Sequence, residues 1–391
     1  MDRLILPLRP GMEHLLEALD TGRGATRLVG GAVRDALIGR PFNDVDLATR
    51  LVPDTVIRRL KAADIRVVPT GLAHGTVTAV LPTGPIEVTT LRHDLSTDGR
   101  RATVAYTLDW EADAARRDFT INALYADPID GDVIDYFEGR RDLNAGIVRF
   151  IGDPLRRIAE DHLRILRFFR FHARYGRGEP DARSLEACTN RANDLMALSR
   201  ERIADEVLKL LASRDPLPTV ALMERLGILK PVLPEVTRRG VDRLADLMTA
   251  ERSFGVPGDP IRRLAALLPD DAAVSVGQRL RLSKAQVRRL EQASGDAGAG
   301  TRALAYRLGT ESAIDRLLMN GDDPQPLIGW SPPRLPITGG ALIAQGLTEG
   351  PAVAAALRRV ETRWIEEDFP PADRVEEIAA DEVAQALASD R

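Results

Sequence analysis

Two aspartates one residue apart give this 391-residue chain its clearest chemical signal. Asp44 and Asp46 alternate with Val45, Leu47 and Thr49, the period-two pattern of a β-strand. Residues two apart on a strand project from the same face, so both carboxylates would point at one spot. Two such charges are costly to bring together unless a cation lies between them, and Mg²⁺ prefers oxygen ligands. The pair therefore predicts metal-assisted chemistry on a phosphate, although a solvated loop gives the same spacing.

Two glycines precede this pair and suggest where a phosphate could bind. Residues 26–29 are typical of a short strand, Gly30 and Gly31 follow, and residues 33–38 are typical of a short helix. A strand that runs through glycines into a helix collects backbone N–H groups and the positive helix end at one point. A tight turn needs glycine too. The order of strand, glycines, helix and paired aspartates favours the phosphate site.

The scaffold for these residues is predicted to be mixed α/β over the first 150 residues. The sequence predicts a helix at 53–63 and strands at 66–69, 76–81 and 85–92. Residues 94–103 are polar and contain a glycine, so we expect a mobile loop there.

From about residue 153 the chain changes to helical periodicity. Apolar residues at 155, 158, 163, 166, 169 and 173 predict a helix, and the pattern continues to the end with Gly- and Pro-rich interruptions. We therefore expect an α+β fold: a head with a mixed β-sheet and flanking helices, then an all-helical neck, body and tail. The predicted boundaries are 1–140, 141–215, 216–325 and 326–391.

Composition narrows the functional classes. Lys and Arg total 54 against 58 Asp and Glu, a net charge of -4, so nucleic-acid binding would need a local basic patch. Residues 153–177 hold seven arginines and three acids, whereas residues 366–391 hold nine acids and two arginines. The single cysteine, Cys188, excludes an internal disulfide and a cysteine-based zinc site. The apolar runs are too short to span a membrane. We expect a cytoplasmic protein, with no stable protein partner implied.

Five segments resemble motifs of one family, the class II CCA-adding enzymes and bacterial poly(A) polymerases. Glu160-Asp161-His162-Leu163-Arg164 matches the Glu-Asp-x-x-Arg motif that reads the incoming base, and Arg116 to Leu124 resembles the second head motif. The resemblance is clear over residues 25–215 and looser in the tail. In the family's order the segments are 28–35 with 44–49, 116–124, 152–158, 160–164 and 199–203.

The resemblance implies a nucleotidyltransferase head and template-independent addition of C, C and A to tRNA from CTP and ATP, with Mg²⁺ as cofactor. Asp44 and Asp46 would bind the metals, and Glu87 would activate the 3′-hydroxyl, although a strand glutamate more often faces solvent. Further nucleotide-binding residues would be Gly30, Gly31 and Arg34 at the triphosphate, and Arg117, Asp118 and Asn122 at the sugar. Asp118 is equally suited to be the N-cap of a helix from Phe119.

The base would be read by Asp161 and Arg164, followed in the row by Arg167 and Arg170. A carboxylate accepts from the amino group of cytosine or adenine, and a guanidinium donates to the neighbouring ring acceptor. Uracil and guanine invert that pattern and would leave buried groups unpaired. Since residues three apart are neighbours on a helix, Asp161 and Arg164 could also form an ordinary salt bridge. Arg170 points away from Asp161 and is expected to meet phosphate or RNA backbone.

Other activities share these motifs. A poly(A) polymerase has the same head, but the acidic C-terminal segment favours a protein that reads tRNA shape over one with a basic extension for generic RNA. An enzyme that adds only CC or only A fits as well. A non-catalytic RNA-binding relative fits less well, because it would need none of the metal ligands. The tail is expected to contact tRNA.

Overall fold

The structure, a computed structural model, forms two compact units, Met1–Pro234 and Glu235–Arg391. The first unit contains the predicted head and neck and the start of the predicted body; the finer division into four parts stays a prediction. The structure describes residue 4 and residues 9–42, 44–97, 102–298, 300–348 and 350–389, without the side chains of 94–97, 102–104 and 389.

The first unit is built on a mixed β-sheet. Its described strands are β1 (Thr26–Val29), β2 (Asp46–Thr49), β3 (Arg66–Gly71), β4 (Thr76–Leu81), β5 (Gly84–Thr90), β6 (Arg92–Thr97), β7 (Ala102–Tyr106), β8 (Leu124–Ala126) and β9 (Val133–Asp135). Seven of these form one sheet in the order β3-β4-β5-β2-β1-β8-β9, and β2 and β5 run parallel. The two parallel strands therefore begin at the same edge of the sheet.

Helices flank this sheet and then follow one another along the chain. They are α1 (Met12–Ala18), α2 (Gly31–Leu37), α3 (Pro53–Ala62), α4 (Trp110–Ala115), α5 (Gly139–Ala145), α6 (Pro154–Glu160), α7 (Arg164–Tyr175), α8 (Ala182–Asn190), α9 (Arg200–Leu211) and α10 (Leu217–Arg225). A cluster of aromatic rings holds α7 in place. Phe119 lies 4.9 Å from Phe150 and 5.2 Å from Phe171 between ring centroids, and Phe150 stacks on Phe168 at 5.9 Å. The second sequence motif is thereby packed against α7, the helix that begins at Arg164.

The second unit is helical throughout the part that the structure describes. Its helices are α11 (Arg238–Ser253), α12 (Pro260–Leu267), α13 (Ala273–Arg279), α14 (Lys284–Ala293), α15 (Thr301–Leu308), α16 (Thr310–Asn320), α17 (Gly339–Ala344), α18 (Pro351–Glu366) and α19 (Ala372–Ser389). Trp364, 2% exposed, packs with Val360, Ile378 and Ala379 in a core that α18 and α19 share. No helix in the described residues is long and apolar enough to cross a membrane.

The predicted loop at residues 94–103 is wrong for most of its length. β6 and β7 pair as an antiparallel hairpin in which Arg92 lies opposite Tyr106 and Thr97 opposite Ala102. Residues 98–101 lie outside the described residues. Polarity indicated a loop, but the Thr and Val residues of this segment favour extended backbone, and a two-stranded hairpin can be polar on its faces.

The predicted single helix over residues 155–173 is also wrong. It is divided into α6 and α7 at Asp161, whose backbone is extended with φ −157° and ψ 108°. The Asp161 carboxylate accepts a hydrogen bond from the amide of Leu163 at 3.1 Å. Such a local bond competes with the hydrogen bonds of the helix and ends it. The helical spacing of apolar residues nevertheless continues from α6 into α7, so the spacing does not reveal the break.

Candidate active site

The site is centred on the first residue of β2 and on the residue opposite it in the middle of β5. Asp46 begins β2 and lies opposite Glu87 of β5 in the strand register. Asp44 lies two residues earlier, before the strand, so the prediction that both aspartates share one strand is wrong. β2 pairs with β1 and β5 only from Asp46 onward, so no ladder holds the residues before it in a strand.

The carboxylates of Asp44, Asp46 and Glu87 repel one another. Burial raises the pKa of Asp46 to about 6, and the charges of Glu87 and Asp44 add to this effect, whereas the guanidinium of Arg117 opposes it. No direct ion pair joins any of these three carboxylates to another residue that the structure describes. The start of β2 therefore concentrates negative charge that the fold itself leaves unneutralised.

The negative charge at the start of β2 suits a divalent cation that is bound by both the protein and a substrate. No group of three or more His, Cys, Asp or Glu side chains in the described residues is arranged to enclose a metal by itself. A magnesium ion does not need one, because it is usually held by one or two carboxylates together with substrate phosphates and water. Asp44 and Asp46 meet that description, and their crowding gives a cation an electrostatic reason to bind.

Gly30 and Gly31 leave open space between β1 and the second motif. Gly30 has φ 72° and ψ −123°, a conformation that side chains rarely adopt. A Cβ atom there would lie 3.6 Å from Arg117 Nη1 and 3.9 Å from the carbonyl oxygen of Asn122, and one at Gly31 would lie 3.6 Å from Arg34 Nη2. The glycine backbone therefore approaches two arginine head groups without a side chain between them.

Asp113 holds Arg117 in its place. Its carboxylate is 1% exposed and accepts from Arg117 Nη2 at 3.2 Å, Arg116 Nε at 2.8 Å and the hydroxyl of Tyr125 at 2.7 Å. Burial opposes ionisation of Asp113, but Arg117 and Arg116 outweigh it and keep the pKa of this carboxyl below its usual value. The backbone amide of Arg92, where the hairpin begins, also donates to it at 3.2 Å. One buried charge thus positions the arginine that faces Asp46.

A buried chain of hydrogen bonds joins the first two motifs to α7. Arg34 donates to the amide oxygen of Asn122, Asn122 donates to Asp118 at 2.9 Å, and Arg167 Nε donates to Asp118 at 2.7 Å. Burial disfavours the charge on Asp118, but Arg167 and the bond from Asn122 lower the pKa of this carboxyl overall. Two of the three predicted sugar-binding residues, Asp118 and Asn122, therefore form one network with Arg34 and Arg167, whereas Arg117 is held separately by Asp113.

The alternative role of Asp118 as a helix N-cap is wrong. The segment after it is a single 3-10 turn, Thr120–Asn122, whose N-cap residue is Phe119. The Asp118 carboxylate accepts instead from the Phe119 amide at 2.9 Å and from the side chains described above. A helix cannot continue here because Leu124–Ala126 is already a strand of the sheet.

Asp161 and Arg164 do not form the salt bridge that their spacing suggested. Arg164 Nη1 pairs with Glu160 at 2.6 Å and Nη2 donates to the carbonyl of Arg116 at 3.3 Å. Asp161 instead accepts from Arg202 of α9 at 2.7 Å. The helix break at Asp161 explains this exchange of partners. Separate partners hold the two side chains, which leaves them available as independent acceptor and donor.

Arg170 is the predicted residue whose surroundings differ most from expectation. Its guanidinium Nε pairs with Glu206 of α9 at 2.6 Å, and this glutamate is only 3% exposed. Arg167 Nη1 also approaches Glu206 at 3.7 Å. Arg170 is thus partly a structural residue that fixes α7 to α9.

The buried acids that position these arginines were missed from the sequence. Glu206 has a visible signal, since it lies three and four residues from Ile203 and Leu210 on the apolar face of α9. An acid on such a face must be paired when it is buried. Asp113 also has a local signal, because Arg116 and Arg117 follow it by three and four residues, the spacing of helical ion pairs. Only its bond to Tyr125 forms when the head folds.

Comparison with known proteins agrees with this geometry. The model for the poly A polymerase head domain matches residues 26–149, and the model described as the probable RNA and SrmB-binding site of polymerase A matches residues 179–239. The mitochondrial CCA tRNA nucleotidyltransferase 1 of Danio rerio is 34% identical over 378 residues, covering 90% of this chain and 86% of its own. The CCA-adding enzyme of Lacticaseibacillus paracasei is 31% identical over 378 residues, covering 91% and 92%.

Solved structures share the fold over nearly the whole chain. The Bacillus stearothermophilus CCA-adding enzyme in complex with CTP has a TM-score of 0.72 at 24% identity, covering 92% of this chain and 94% of its own. The Thermotoga maritima enzyme complexed with tRNA has a TM-score of 0.69 at 21% identity and covers 100% of both chains. With two relatives above 30% identity over most of its length, and with the family's head motifs in one site, this chain belongs to the class II CCA-adding enzyme family of tRNA nucleotidyltransferases.

Proposed function

We propose that this chain adds C, C and A in turn to the 3′ end of tRNA, using CTP and ATP and no nucleic-acid template. The observation that carries the proposal is the group of Asp44, Asp46 and Glu87 at the start of β2, a central strand of the sheet. Their charges are unpaired within the described fold and lie beside Arg117. In a member of this family, such a group suits phosphoryl chemistry better than stability.

The proposed reaction is an in-line displacement at the α-phosphorus of the nucleotide. The 3′-hydroxyl oxygen of the tRNA forms the new bond, the bond to the bridging oxygen breaks, and pyrophosphate leaves. Asp44 and Asp46 would hold a divalent cation, proposed as Mg²⁺, which would offset negative charge on the reacting phosphates. Glu87 is exposed and opposite Asp46, so it is the carboxylate proposed to accept the hydroxyl proton.

The nucleotide is proposed to bind along the network that joins the two motifs. The backbone of Gly30 and Gly31 would approach the triphosphate, with Arg34 supplying positive charge, and Arg117, which lies next to Gly30, would grip the sugar. Asp118 and Asn122 would accept and donate at the sugar. Because Asp118, Asn122 and Arg34 bond to one another, they are oriented before any nucleotide arrives, which reduces the ordering that binding requires.

Base choice is proposed to depend on Asp161 and Arg164 with their independent supports. Arg202 orients the Asp161 carboxylate, and Glu160 orients the Arg164 guanidinium. Arg167 lies one turn further along α7 and is fixed by Asp118, so it connects base choice to the sugar site. A hydrogen-bond template of this kind accepts bases of different size and rejects those with an inverted pattern.

A poly(A) polymerase is the alternative within the same superfamily, since the head-domain model carries that name. A partial enzyme that adds CC or A alone is a second, and a non-catalytic RNA-binding relative is a third. The unpaired carboxylates argue against the third, because binding alone gives no reason to retain them.

One assay separates these activities. Purified protein is mixed with Mg²⁺ and a tRNA that lacks its last three nucleotides, each NTP is supplied singly and together, and the 3′ ends are sequenced. We expect CC from CTP alone and CCA from CTP with ATP. Long A tracts from ATP alone would identify a poly(A) polymerase, growth that stops at CC a partial enzyme, and no growth with any NTP would contradict the proposed function.

The finer organisation is part of the same proposal. We assign catalysis to residues 1–140, base reading to 141–215 and tRNA contact to the tail at 326–391, with the body at 216–325 between them. We propose the cytoplasm as the compartment, because the chain has a single cysteine and so no internal disulfide of the kind found in oxidising compartments. The Danio rerio relative is named as mitochondrial.

A further inference from the structure

Three buried polar side chains of the first unit, Arg34, Asp35 and Tyr175, contact one another where two helices meet. Arg34 and Asp35 belong to α2, and Tyr175 is the last residue of α7. They are 6%, 5% and 7% exposed. Polar groups that are buried to this extent need partners, and these three supply partners to one another. Of the three, only Arg34 has a role in the proposed reaction so far.

The Asp35 carboxylate joins the two helices through a single oxygen atom. Its Oδ1 accepts hydrogen bonds from Arg34 Nε at 2.9 Å and from the Tyr175 hydroxyl at 2.8 Å. Burial raises the pKa of Tyr175, and the bond to Asp35 adds to this effect while the charge of Arg34 opposes it. The phenol therefore stays protonated at neutral pH and fixes, as a donor, the oxygen that holds Arg34.

Two aromatic rings of α7 support the flat face of the Arg34 guanidinium. Its Cζ atom lies 4.2 Å from the centroid of the Tyr175 ring and 5.3 Å from that of Phe171. The two rings are stacked, with their centroids 5.7 Å apart. A cation is attracted to the face of an aromatic ring, and more strongly where water is excluded. α7 therefore holds the face of the guanidinium directly and one of its edges through Asp35.

The same helix reaches Arg34 by a second route. Arg34 Nη1 donates to the amide oxygen of Asn122, Asn122 donates to Asp118, and Asp118 accepts from Arg167 of α7. Tyr175 lies eight residues after Arg167 on α7, so the two routes leave this helix about two turns apart. The orientation of the Arg34 head group is thus set from two points of α7 and from α2 itself.

These contacts use two of the three nitrogen atoms of the guanidinium. Nε is bound to Asp35 and Nη1 to Asn122, whereas Nη2 donates to no residue in the part of the chain that the structure describes. Nη2 lies 3.6 Å from the position that a Cβ atom of Gly31 would take. Because the guanidinium is planar, fixing one face and two nitrogens also fixes the direction of the third. The unused N–H groups therefore lie beside the glycine backbone where the triphosphate is proposed to bind.

We propose that Asp35 and Tyr175 are positioning residues that hold Arg34 in the orientation in which it receives the triphosphate of the incoming nucleotide. The inference rests on the proposed function for the identity of that triphosphate. Arg34 would touch the phosphates, and Asp35 and Tyr175 would act only through Arg34. A side chain that is ordered in advance loses less freedom when its ligand binds. Loss of either support should therefore weaken binding of the phosphate tail and leave contacts to the base and sugar in place.

The test compares ligands with and without the phosphate tail. Tyr175→Phe removes the hydroxyl that bonds to Asp35 and keeps the ring against Arg34, and Asp35→Asn removes the charge. Tyr136→Phe is the matched control, because it removes the hydroxyl of another partly buried tyrosine, one that accepts from Arg27 at 3.3 Å. Affinities for CTP, CMP and pyrophosphate are measured by calorimetry with Mg²⁺ and without tRNA. Thermal unfolding checks that each variant is folded.

Both variants are expected to bind CTP and pyrophosphate about 3- to 12-fold more weakly than the parent, with the larger loss in Asp35→Asn, because the ligand must now order Arg34. Affinity for CMP, which lacks the tail, should change by less than about twofold. At saturating tRNA, the KM for CTP and the KM for ATP should rise by the same factor, since the two nucleotides share the triphosphate. The change in kcat should stay below about twofold. The Tyr136→Phe control should match the parent throughout.

Three other results are distinguishable. Equal losses for CTP and CMP would overturn the proposal and leave Asp35 and Tyr175 as structural contacts between α2 and α7. Unchanged affinity for CTP would overturn it as well, and Tyr175→Phe alone decides this point if Asp35→Asn does not fold. A parent protein that binds CTP but adds no nucleotide would contradict the proposed function, and a loss of affinity for CTP and not for CMP in its variants would still support the positioning role.

Discussion

Two groups of charge in this molecule follow opposite rules. In the second unit, Glu251 and Asp315 are buried, with side chains 3% and 0% exposed, and arginines hold both. Arg262 joins them, at 2.9 Å to Glu251 and 2.7 Å to Asp315. Arg263 contacts the other oxygen of Glu251 at 2.9 Å, and Arg289 pairs with Asp315. Every carboxylate in this cluster has a cation.

The proposed catalytic group of the first unit, Asp44, Asp46 and Glu87, has the opposite composition. Burial and the charges of Glu87 and Asp44 raise the pKa of Asp46 to about 6, against the opposing charge of Arg117. One pKa unit corresponds to about 1.4 kcal/mol, so keeping Asp46 ionised costs the fold up to about 3 kcal/mol at neutral pH. Buried carboxylates that are paired with arginines, as in the second unit, stabilise the fold. Carboxylates that lack such partners and destabilise the fold, as in the first unit, indicate a site for a ligand.

The largest expected effect is the loss of activity when a metal ligand is removed. Asp44→Ala should lower CTP addition by about 10³-fold or more, because charge neutralisation at the phosphates supplies much of the catalysis. Affinity for tRNA should change by less than about twofold, because Asp44 is an exposed carboxylate that contributes no attraction to RNA. Asp54→Ala, an exposed aspartate in the first turn of α3, is the matched control. Normal incorporation by Asp44→Ala would remove Asp44 from the metal site.

The second unit should respond in stability and not in chemistry. Asp315→Asn removes a buried charge that holds two arginines, so we expect the free energy of unfolding of this unit to fall by about 3–5 kcal/mol. Glu311→Gln is the control, because Glu311 pairs with the same Arg289 but is 72% exposed. It should cost less than about 1 kcal/mol. Urea denaturation measures both, and equal effects would show that burial does not set the value of these pairs.

The proposed base-reading residues, Asp161 and Arg164, share features of both groups. Each has an ion-pair partner in the fold, and each is also proposed to contact the substrate. Asp161→Ala should narrow the preference for CTP over UTP by about 10- to 150-fold, because a charged hydrogen bond contributes about 1.5–3 kcal/mol. Arg202→Ala removes the partner of Asp161 but keeps the acceptor, so its preference should change by less than about threefold. The measurement is the ratio of kcat/KM for CTP to kcat/KM for UTP in the parent and in each variant. If Asp161→Ala slows both equally, Asp161 is only a structural partner of Arg202.

The smallest expected effect concerns a residue that acts through another. Asp113→Asn removes the charge that positions Arg117, and misplacement of such a group by about 1 Å can cost about 100-fold in rate. We expect kcat for CTP addition to fall about 10- to 100-fold while affinity for tRNA is unchanged. Asp113→Glu should recover part of the rate. Unchanged kcat in Asp113→Asn would show that Arg117 keeps its position without this carboxylate.

The sequence indicated the positions of the proposed catalytic residues more readily than the residues that support them. The spacing of Gly30 and Gly31 reflects local backbone geometry, and β1 and α2 formed close to where the pattern indicated, whereas β2 begins only at Asp46 and leaves Asp44 before the strand. Glu87 required the parallel pairing of β2 and β5, which brings together residues 41 positions apart. Local periodicity carries no information about such pairing, and only the resemblance to the family indicated it.

The errors have a common cause. Asp161 and Arg164 have ideal spacing for a helical salt bridge, but a carboxylate that bonds to a nearby backbone amide ended the helix and changed both partners. Residues 94–97 and 102–103, predicted as part of a loop, formed strands because their backbone hydrogen bonds are satisfied in a hairpin. In both places, alternative hydrogen bonds competed for the same backbone groups, and this competition decided the secondary structure. Residue type alone does not show which hydrogen bond is the stronger.

Asp46→Asn tests the contrast between the two groups most directly. The folded pKa of about 6 lies above the ordinary value of 3.8, so ionised Asp46 destabilises the fold above pH 6, and this penalty disappears as the pH falls toward 3.8. Urea unfolding of the metal-free protein at pH 8 and pH 5, together with CTP addition in Mg²⁺, is the measurement. We predict a variant that is about 1–3 kcal/mol more stable than the parent at pH 8, with a smaller difference at pH 5, and that adds no nucleotide. A variant less stable than the parent at pH 8, or one that still extends tRNA, would contradict the assignment of this unpaired charge to catalysis.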